Sequence, residues 1–449
     1  MFGRFGFRGG IFPRLHKERT EGLAIERLAA PPRVVLHMAQ HIGSPAIPIV
    51  KRGDRVLIGQ TVGEAAGMLS SPVHSPVSGT VASIGAFAHP SGMHGTAIEI
   101  ENDLAEASAE KILFDKPWKE SAPGEILQII ASAGIVGMGG GAFPTHVKLS
   151  PPSHKPVDTL IINGVECEPF STADHRLMVE KIEEILSGSL MIKKILAAKT
   201  VYFAIGSHNA EAIRVVSAAL NDPKFKDISL SALKTKYPMG SEKQLVYSLT
   251  KRTVPRKGTP VDAGCMVQNV ATARAVHLAV SEGIPLFERV VTVSGPAIRS
   301  PKNLWVKVGT PLRFVLEQCA MDPAIAKKIV TGGAMTGMAQ SELDAPVLKS
   351  TAAILAFGGD GPPASYNCIS CGACVRACPM RLVPSRLAKF VNKNLIADAR
   401  SQGVVDCIEC GSCAYVCPAK INLVHFMKLG KYWVDKQQKE PEVRSGHDR

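Results

Sequence analysis

The chain has 449 residues, 45% hydrophobic and 20% charged, a balance that builds folded cores and excludes a disordered or low-complexity protein. Its formal charge is +13 while aromatics make up only 5%, so the interleaved basic and aromatic surface of a single-strand binder is missing and nucleic acid is not an expected partner. The positive excess suits an acidic protein or anionic headgroups instead.

The opening MFGRFGFRGGIFPRLHKERT has arginines but no apolar core of signal-peptide length, and no later stretch offers the ~20 apolar residues of a membrane span. A cytoplasmic protein is expected, with any membrane role peripheral. Residues 1–30 read as an N-terminal arm. Residues 31–115 hold short alternating apolar segments broken by Gly and Pro, GDRVLIGQTVGEA and HSPVSGTVASI among them, which predict a small β-sandwich. It resembles a lipoyl-type barrel. Carriers of that kind present a lysine at a hairpin tip, but the tip near His74 to Ser78 has none, so a scaffold or docking surface is expected. His74, His89 and His94 lack the tight paired spacing of metal ligands.

Residues 120–285 open with GEILQIIASAGIVGMGGGAFPTHVKLS, a helical pattern running into Gly137, Gly139, Gly140 and Gly141. Bare backbone of this kind lets N–H groups approach a phosphate or a flavin ring closely, with Lys148 supplying positive charge nearby. A tight structural turn is the plain alternative. The segment VDTLIINGVECEPF then predicts a buried strand ending in Asn163, Glu166 and Glu168, and in open α/β folds ligands bind beyond the carboxyl ends of strands. Residues 286–350, with VTVSGPAIRSPKNLWVKVGTPLRFVLEQC, alternate as strands and then become helical, resembling a soluble-ligand-binding β-grasp module.

Eight of the eleven cysteines lie within residues 360–425, in CISCGACVRACP from Cys368 and CIECGSCAYVCP from Cys407. Both read C-x2-C-x2-C-x3-C-P. Three cysteines so spaced can wrap a short loop round three irons of a cubane [4Fe–4S] cluster. In two-cluster ferredoxins the fourth ligand is the last cysteine of the opposite motif. Carried over, Cys368, Cys371, Cys374 and Cys417 hold one cluster, and Cys407, Cys410, Cys413 and Cys378 the other. Gly372 and Gly411 allow tight turns. Structural zinc is the alternative, though it needs only two pairs. The linker Met380 to Asp406 reads as one inserted helix, and residues 426–449 as a charged tail. Cys167, Cys265 and Cys319 stand alone and read as small buried hydrophobes.

In order along the chain, FRGGIFP, QHIGSPAIPIVKRGDRV, SPVSGTV, GMGGGAFPTHVKL, LIINGVECEP, YPMGSEKQL, VQNVATA, VTVSGPAI and the two cysteine motifs resemble the RnfC, or RsxC, family of the Rnf complex, a membrane-bound ferredoxin:NAD oxidoreductase. The centre also resembles the NADH-oxidising flavin subunit of respiratory complex I. That likeness implies an FMN site formed by Gly137, Gly139, Gly140, Phe143, Lys148, Asn163, Glu166, Glu168, Gly240, Glu242, Asn269 and Thr272. It further implies NAD(H) as substrate, integral membrane and flavoprotein subunits and ferredoxin as partners, and a peripheral place on the cytoplasmic side of the inner membrane. The protein would position cofactors and carry no catalytic acid or base of its own. One departure stands out. The family loop commonly reads G-x-G-G-A-G-F-P-T, and here Gly141 is followed by Ala142, whose methyl restricts φ. The alternative is therefore an iron–sulfur relay or adaptor without a working flavin site. The expected fold is an α/β and α+β multidomain chain: lipoyl-like barrel-sandwich, Rossmann-like flavin domain, β-grasp module and two-cluster ferredoxin-like domain.

Overall fold

Two small sheets build the first module. Arg33–His37 buries four of its five residues and pairs antiparallel with His94–Asn102, which pairs with Gly79–Ala88 and through it with Arg55–Val56. A second sheet of Ile47–Pro48, Thr61–Glu64 and Val73–His74 closes the sandwich, with Val34, Leu36, Met38, Val62, Val73, Ile98 and Ile100 between them. This is the expected barrel-sandwich, seen in a computed structural model that describes residues 6–111, 116–359, 361 and 364–439. The arm's first five residues, residues 112–115 and residues 440–449 of the tail lie outside the described residues.

The hairpin near His74 is packed against the neighbouring modules. His74, Ser75 and Ser78 are buried, the Pro76 carbonyl accepts the Lys307 ammonium at 2.7 Å, and the Pro72 carbonyl accepts that of Lys349 at 2.8 Å. A segment whose carbonyls are bonded by a neighbouring module forms a seam. His74, walled in there, has its pKa pushed down to about 3 by burial.

The second module is a parallel sheet in the order Ile228–Leu233, Thr200–Gly206, Thr159–Gly164, Cys265–Asn269. In sequence order that is 3-2-1-4, a Rossmann-like arrangement. Near-continuous apolar burial along Thr159–Gly164 and Thr200–Gly206 reflects helices covering both faces, as parallel sheets require. The strand direction of winding reverses between Thr159–Gly164 and Cys265–Asn269. A crevice opens at the carboxyl ends of such a pair.

The third module is a six-stranded mixed sheet. It reaches beyond residues 286–350, taking Ala353–Phe357 between Glu288–Ser294 and Lys328–Thr331, and the arm strand Ile25–Arg27 parallel to Lys302–Lys307. A buried polar pin joins it to the rest: Thr172 Oγ1 meets Thr20 Oγ1 at 2.7 Å and Asn303 Oδ1 at 2.9 Å, while the Thr172 N–H donates to Thr292 Oγ1 at 3.0 Å.

In the last module the helix Pro384–Asn392 and the helix Leu423–Lys439 follow the two cysteine motifs at equivalent places. The linker differs from its expectation. It holds Pro384–Asn392 and Ile396–Ser401 with a break between them, where Asn394 takes φ +57° and ends the first helix, as Asn can. The expected tail is helical as far as Lys439. No helix among the described residues is long and apolar enough to cross a membrane.

Candidate functional site

The glycine loop sits at the crevice. The Met138 N–H donates to Thr272 Oγ1 at 2.9 Å, and a Cβ at Gly139 would stand 3.3 Å from the Asn269 side chain. Asn269 caps its own helix by accepting from the Ala271 N–H at 2.8 Å and donates to Asp174 at 2.6 Å. From behind, the buried Arg289 guanidinium faces the Met138 carbonyl at 3.4 Å. The loop is thus fixed from three sides, while Cβ atoms at Gly140 and Gly141 would meet nothing within 4 Å. Ala142, which carries the departure from the resembled loop, has φ +47°. A left-handed L-residue costs about 1–2 kcal/mol, so glycine's absence there is felt in the backbone.

The loop lines a cavity of about 780 Å³ with Gly139 to Ala142 on one side and Thr331–Gly333 and Thr336–Met338 on another. Barrel residues His41, Ile42 and His89 close a third side, and Ile408, Glu409 and Lys428 of the cysteine module a fourth. A chamber of this size holds a flavin-sized molecule. The glycine-rich TGGAMTG of residues 331–337 was a signal that pattern reading passed over, being masked by its place inside a β module.

The expected flavin residues take different places round the chamber. Gly139, Gly140 and Glu168 line the chamber. Gly137, Asn163, Gly240, Asn269 and Thr272 brace its wall: Gly137 N–H donates to the Phe143 carbonyl at 2.9 Å, and Asn163 Nδ2 donates to the Gly240 carbonyl at 2.9 Å. Lys148 is held at 2.6 Å by both Glu242 Oε1 and the Val267 carbonyl. Glu166 is engaged within the chain. It forms a buried ion pair with Lys17 at 3.2 Å and accepts from the Asp174 N–H at 2.8 Å, a position that helix start favours. Burial, and the Glu166 carboxylate that it faces, raise the pKa of the neighbouring Asp174. Lys17 and Asp174 escaped sequence reading because neither stands in a motif.

Glu168 joins modules. Its carboxylate accepts from Thr336 Oγ1 at 2.6 Å and the Met335 N–H at 2.8 Å, and burial raises its pKa. Tyr237 Oη lies 3.3 Å from Glu168 and donates to the Cys410 carbonyl at 2.7 Å.

Cys368, Cys371, Cys374 and Cys417 surround one cavity, and Cys378, Cys407, Cys410 and Cys413 another. The repeat is written into the backbone. Ser370 and Glu409, Gly372 and Gly411, Arg381 and Lys420 form three pairs separated by the spacing that relates Cys368 to Cys407, and all six have left-handed φ. Such turns bring amides toward the sulfurs: Leu382 N–H donates to Cys378 and Glu409 N–H to Cys407, each at 3.3 Å. The donor set fits a cube better than a single ion. Each set places four cysteines around one cavity, and a cube takes one thiolate per iron from donors spread around it. Burial pushes the Cys407 thiol up to about 11 and Cys413 up to about 12. A bound metal would be needed to hold these as thiolates.

Three of these modules match known protein families. The model of the RnfC barrel sandwich hybrid domain matches residues 5–105, that of the Nuo51 FMN-binding domain residues 130–278, and that of the 4Fe-4S dicluster domain residues 367–421. The C component of a proton-translocating ferredoxin:NAD(+) oxidoreductase complex from Clostridium ljungdahlii is 42% identical, the match covering 94% of this chain and 92% of that one. The C component of the Na(+)-translocating complex of Acetobacterium woodii is 38% identical over 97% of this chain and 98% of that one. The corresponding component of an ion-translocating oxidoreductase complex from Rhodobacter capsulatus is 41% identical over 97% and 84%.

Proposed function

The chain belongs to the RnfC family, the C components of ion-translocating ferredoxin:NAD(+) oxidoreductase complexes, and from that premise we propose that it carries electrons between NAD(H), FMN and two [4Fe–4S] clusters. When bound, the flavin exchanges two electrons with a nicotinamide and single electrons with the clusters. The chain's residues position these groups and keep water from them.

Gly139 and Gly140 offer bare backbone that would hold the flavin. Thr272 and Arg289 hold the Met138 peptide between them, so the loop is organised before anything binds. The Asn163 contact with the Gly240 carbonyl and the Lys148 contact with Glu242 fix the crevice wall. Glu166 acts at one remove by ordering the helix Ala173–Glu180 behind the loop.

Cys378, Cys407, Cys410 and Cys413 would hold the inner cluster, and Cys368, Cys371, Cys374 and Cys417 the outer one. The observation that carries this reading is that Ile408 and Glu409, inside the Cys407 motif, share the chamber's wall with the glycine loop. Cys378, Cys407, Cys410 and Cys413 would thus hold the cluster on the chamber side of the cysteine module. Around this chain, integral membrane and flavoprotein subunits make up the rest of the complex, ferredoxin exchanges electrons with it, and the chain sits peripherally on the cytoplasmic side of the inner membrane. Anaerobic analysis for iron, sulfide and flavin tests the reading, with about eight irons and one flavin expected.

The flavin-free relay rests on Ala142. At about 1–2 kcal/mol the left-handed alanine is tolerable for a fold of this size, and its methyl belongs to a chamber wall with space in front. Absence of flavin from protein with full iron would favour the relay.

A further inference from the structure

Electrons and protons cannot leave the chamber by the same road. A nicotinamide gives up a hydride, which is two electrons with one proton, while a [4Fe–4S] cluster takes single electrons and no proton. The balance is NADH and two oxidised clusters giving NAD+, two reduced clusters and one H+. A site closed on its substrate expels water, so fixed groups are needed to carry that proton out, or to bring it in when the flow is reversed.

Such groups stand behind one wall. Ser171 lines the chamber, and its hydroxyl donates to Glu166 Oε1 at 3.2 Å. The Glu166 side chain is 5% exposed against Lys17. Facing it is the Asp174 carboxyl, which accepts from Asn269 Nδ2 at 2.6 Å. Two carboxyls facing one another out of water resist ionising together. Next comes His175, buried, whose backbone N–H donates to Glu166 Oε2 at 3.2 Å and whose ring Nε2 lies 3.5 Å from Glu211 Oε2. Glu211 is 42% exposed and reaches solvent.

Three side-chain atoms in this region are buried with no hydrogen-bond partner among the described residues: His175 Nδ1, His208 Nε2 and Asn209 Nδ2. His208 stands close enough to Lys17, Glu166 and His175 for each to act on its pKa. Asn209 precedes the helix Ala210–Ala219, which carries Glu211, and its side chain makes no cap bond. Polar atoms buried in this way bind ordered water. The cations round the path are Lys17 of the arm, Arg176 beside His175 and Arg289 of the strand Glu288–Ser294. Burial lowers the pKa of His175, with Lys17 and Arg176 adding to the effect and Glu166 and Glu211 opposing it. A proton that reaches the imidazole on one nitrogen is therefore released from the other.

We propose that Ser171, Glu166, Asp174, His175 and Glu211, with water at the unpartnered atoms, form a relay that carries the proton left by hydride oxidation from the chamber to solvent. The inference rests on the function proposed above and adds a proton exit to its electron exit. Each hop breaks one O–H or N–H bond and forms another on the next group, so the relay ends every turnover as it began. It acts on no bond of the substrate.

The test uses the full chain, purified anaerobically, with flavin and iron measured. Mixed with NADH in weak buffer with a pH-indicating dye, the parent should release one proton for each NADH oxidised, in step with cluster reduction. His175→Gln should slow both signals about a hundredfold and Glu211→Gln, whose place solvent can take, about tenfold. Both variants should show a larger solvent deuterium isotope effect than the parent and unchanged reduction by dithionite. Where His175→Gln loses flavin or iron, the half-exposed Glu211 variant carries the test. Parent-like rates and isotope effects in replete variants would overturn the relay, as would equal slowing with dithionite. A second readout needs no turnover: infrared spectra of the flavin-free chain at mildly acidic pH should show a protonated carboxyl band that shifts in D2O and is lost in Asp174→Asn. Absence of that band from the parent would remove the proton the relay needs. If NADH leaves the parent's flavin oxidised, the function proposed above fails; if flavin and clusters are reduced at full speed in every variant, only the relay does.

Discussion

The Tyr237 hydroxyl donates to the carbonyl of Cys410 at 2.7 Å, so a residue of the Rossmann-like module holds the backbone of the inner cysteine motif. The same tyrosine carries the arm, exchanging backbone bonds with Ile11 at 2.8 and 2.9 Å. Replacing it with Phe removes one buried donor and leaves a carbonyl unsatisfied, a loss of about 1–3 kcal/mol. Tyr237→Phe should keep its iron yet show slower NADH-driven cluster reduction, with dithionite reduction unaffected. Equal slowing by both reductants would place the effect elsewhere.

Reciprocal ligation has a direct consequence for cysteine variants. Cys371→Ser should lose the outer cluster and about half of roughly eight irons, and Cys378→Ser should lose the inner one, despite lying in the first motif. Electron paramagnetic resonance of reduced protein distinguishes the two. If Cys378→Ser and Cys371→Ser deplete the same cluster, the crossed assignment is wrong.

Gly9 has φ +76°, and a Cβ there would collide with the Cys378 carbonyl oxygen. Left-handed strain and a backbone clash together should lift the arm away from the motif, at a cost of about 1–3 kcal/mol for the strain alone. In Gly9→Ala the amide of Gly10, bonded to the Ala377 carbonyl at 2.8 Å, should exchange its hydrogen much faster than in the parent protein. Unchanged protection would mean the arm is held from elsewhere.

Ala142→Gly relieves the left-handed alanine at the chamber wall. The gain should be about 0.5–1 kcal/mol after the added freedom of glycine in the unfolded chain is counted. Thermal unfolding should shift upward slightly, and flavin retention through gel filtration should not decrease. A lowered midpoint would show that the methyl contributes packing.

Lys349 is buried with no carboxylate partner among the described residues, its ammonium bonded to the Pro72 and Gly134 carbonyls at 2.8 Å each, and burial lowers its pKa to about 7. The unfolded chain holds this proton up to the ordinary lysine range and the folded chain releases it near 7, so between those values the unfolded state binds more protons. Stability should therefore rise with pH across that window, by at most about 1.4 kcal/mol per pH unit from this group. Denaturant titrations at several pH values should show that slope in the parent and lose it in Lys349→Gln.

Much of this was legible in the sequence for physical reasons. Cysteine spacing fixes which irons one loop can reach, and an apolar run ending in Asn163 marks a strand mouth, so motifs and fold class follow from local chemistry. What sequence did not reveal is set by contacts between distant segments. Lys17 of the arm meets Glu166, Arg289 reaches back to Met138, and the glycine-rich stretch at 331–337 becomes a chamber wall only when its sheet docks. The linker helix broke at Asn394 because a single left-handed residue outweighs an otherwise continuous apolar pattern. The hairpin near His74 reads as a scaffold or docking surface, but nothing local says that Lys307 and Lys349 will be the groups bonded to its carbonyls.

The most direct test of the electron route is anaerobic mixing of the full chain with NADH, followed by its flavin and cluster absorbance. The account predicts bleaching of a stoichiometric flavin and then of the clusters. Clusters that dithionite reduces but NADH leaves oxidised, in protein that releases no flavin on denaturation, would contradict it.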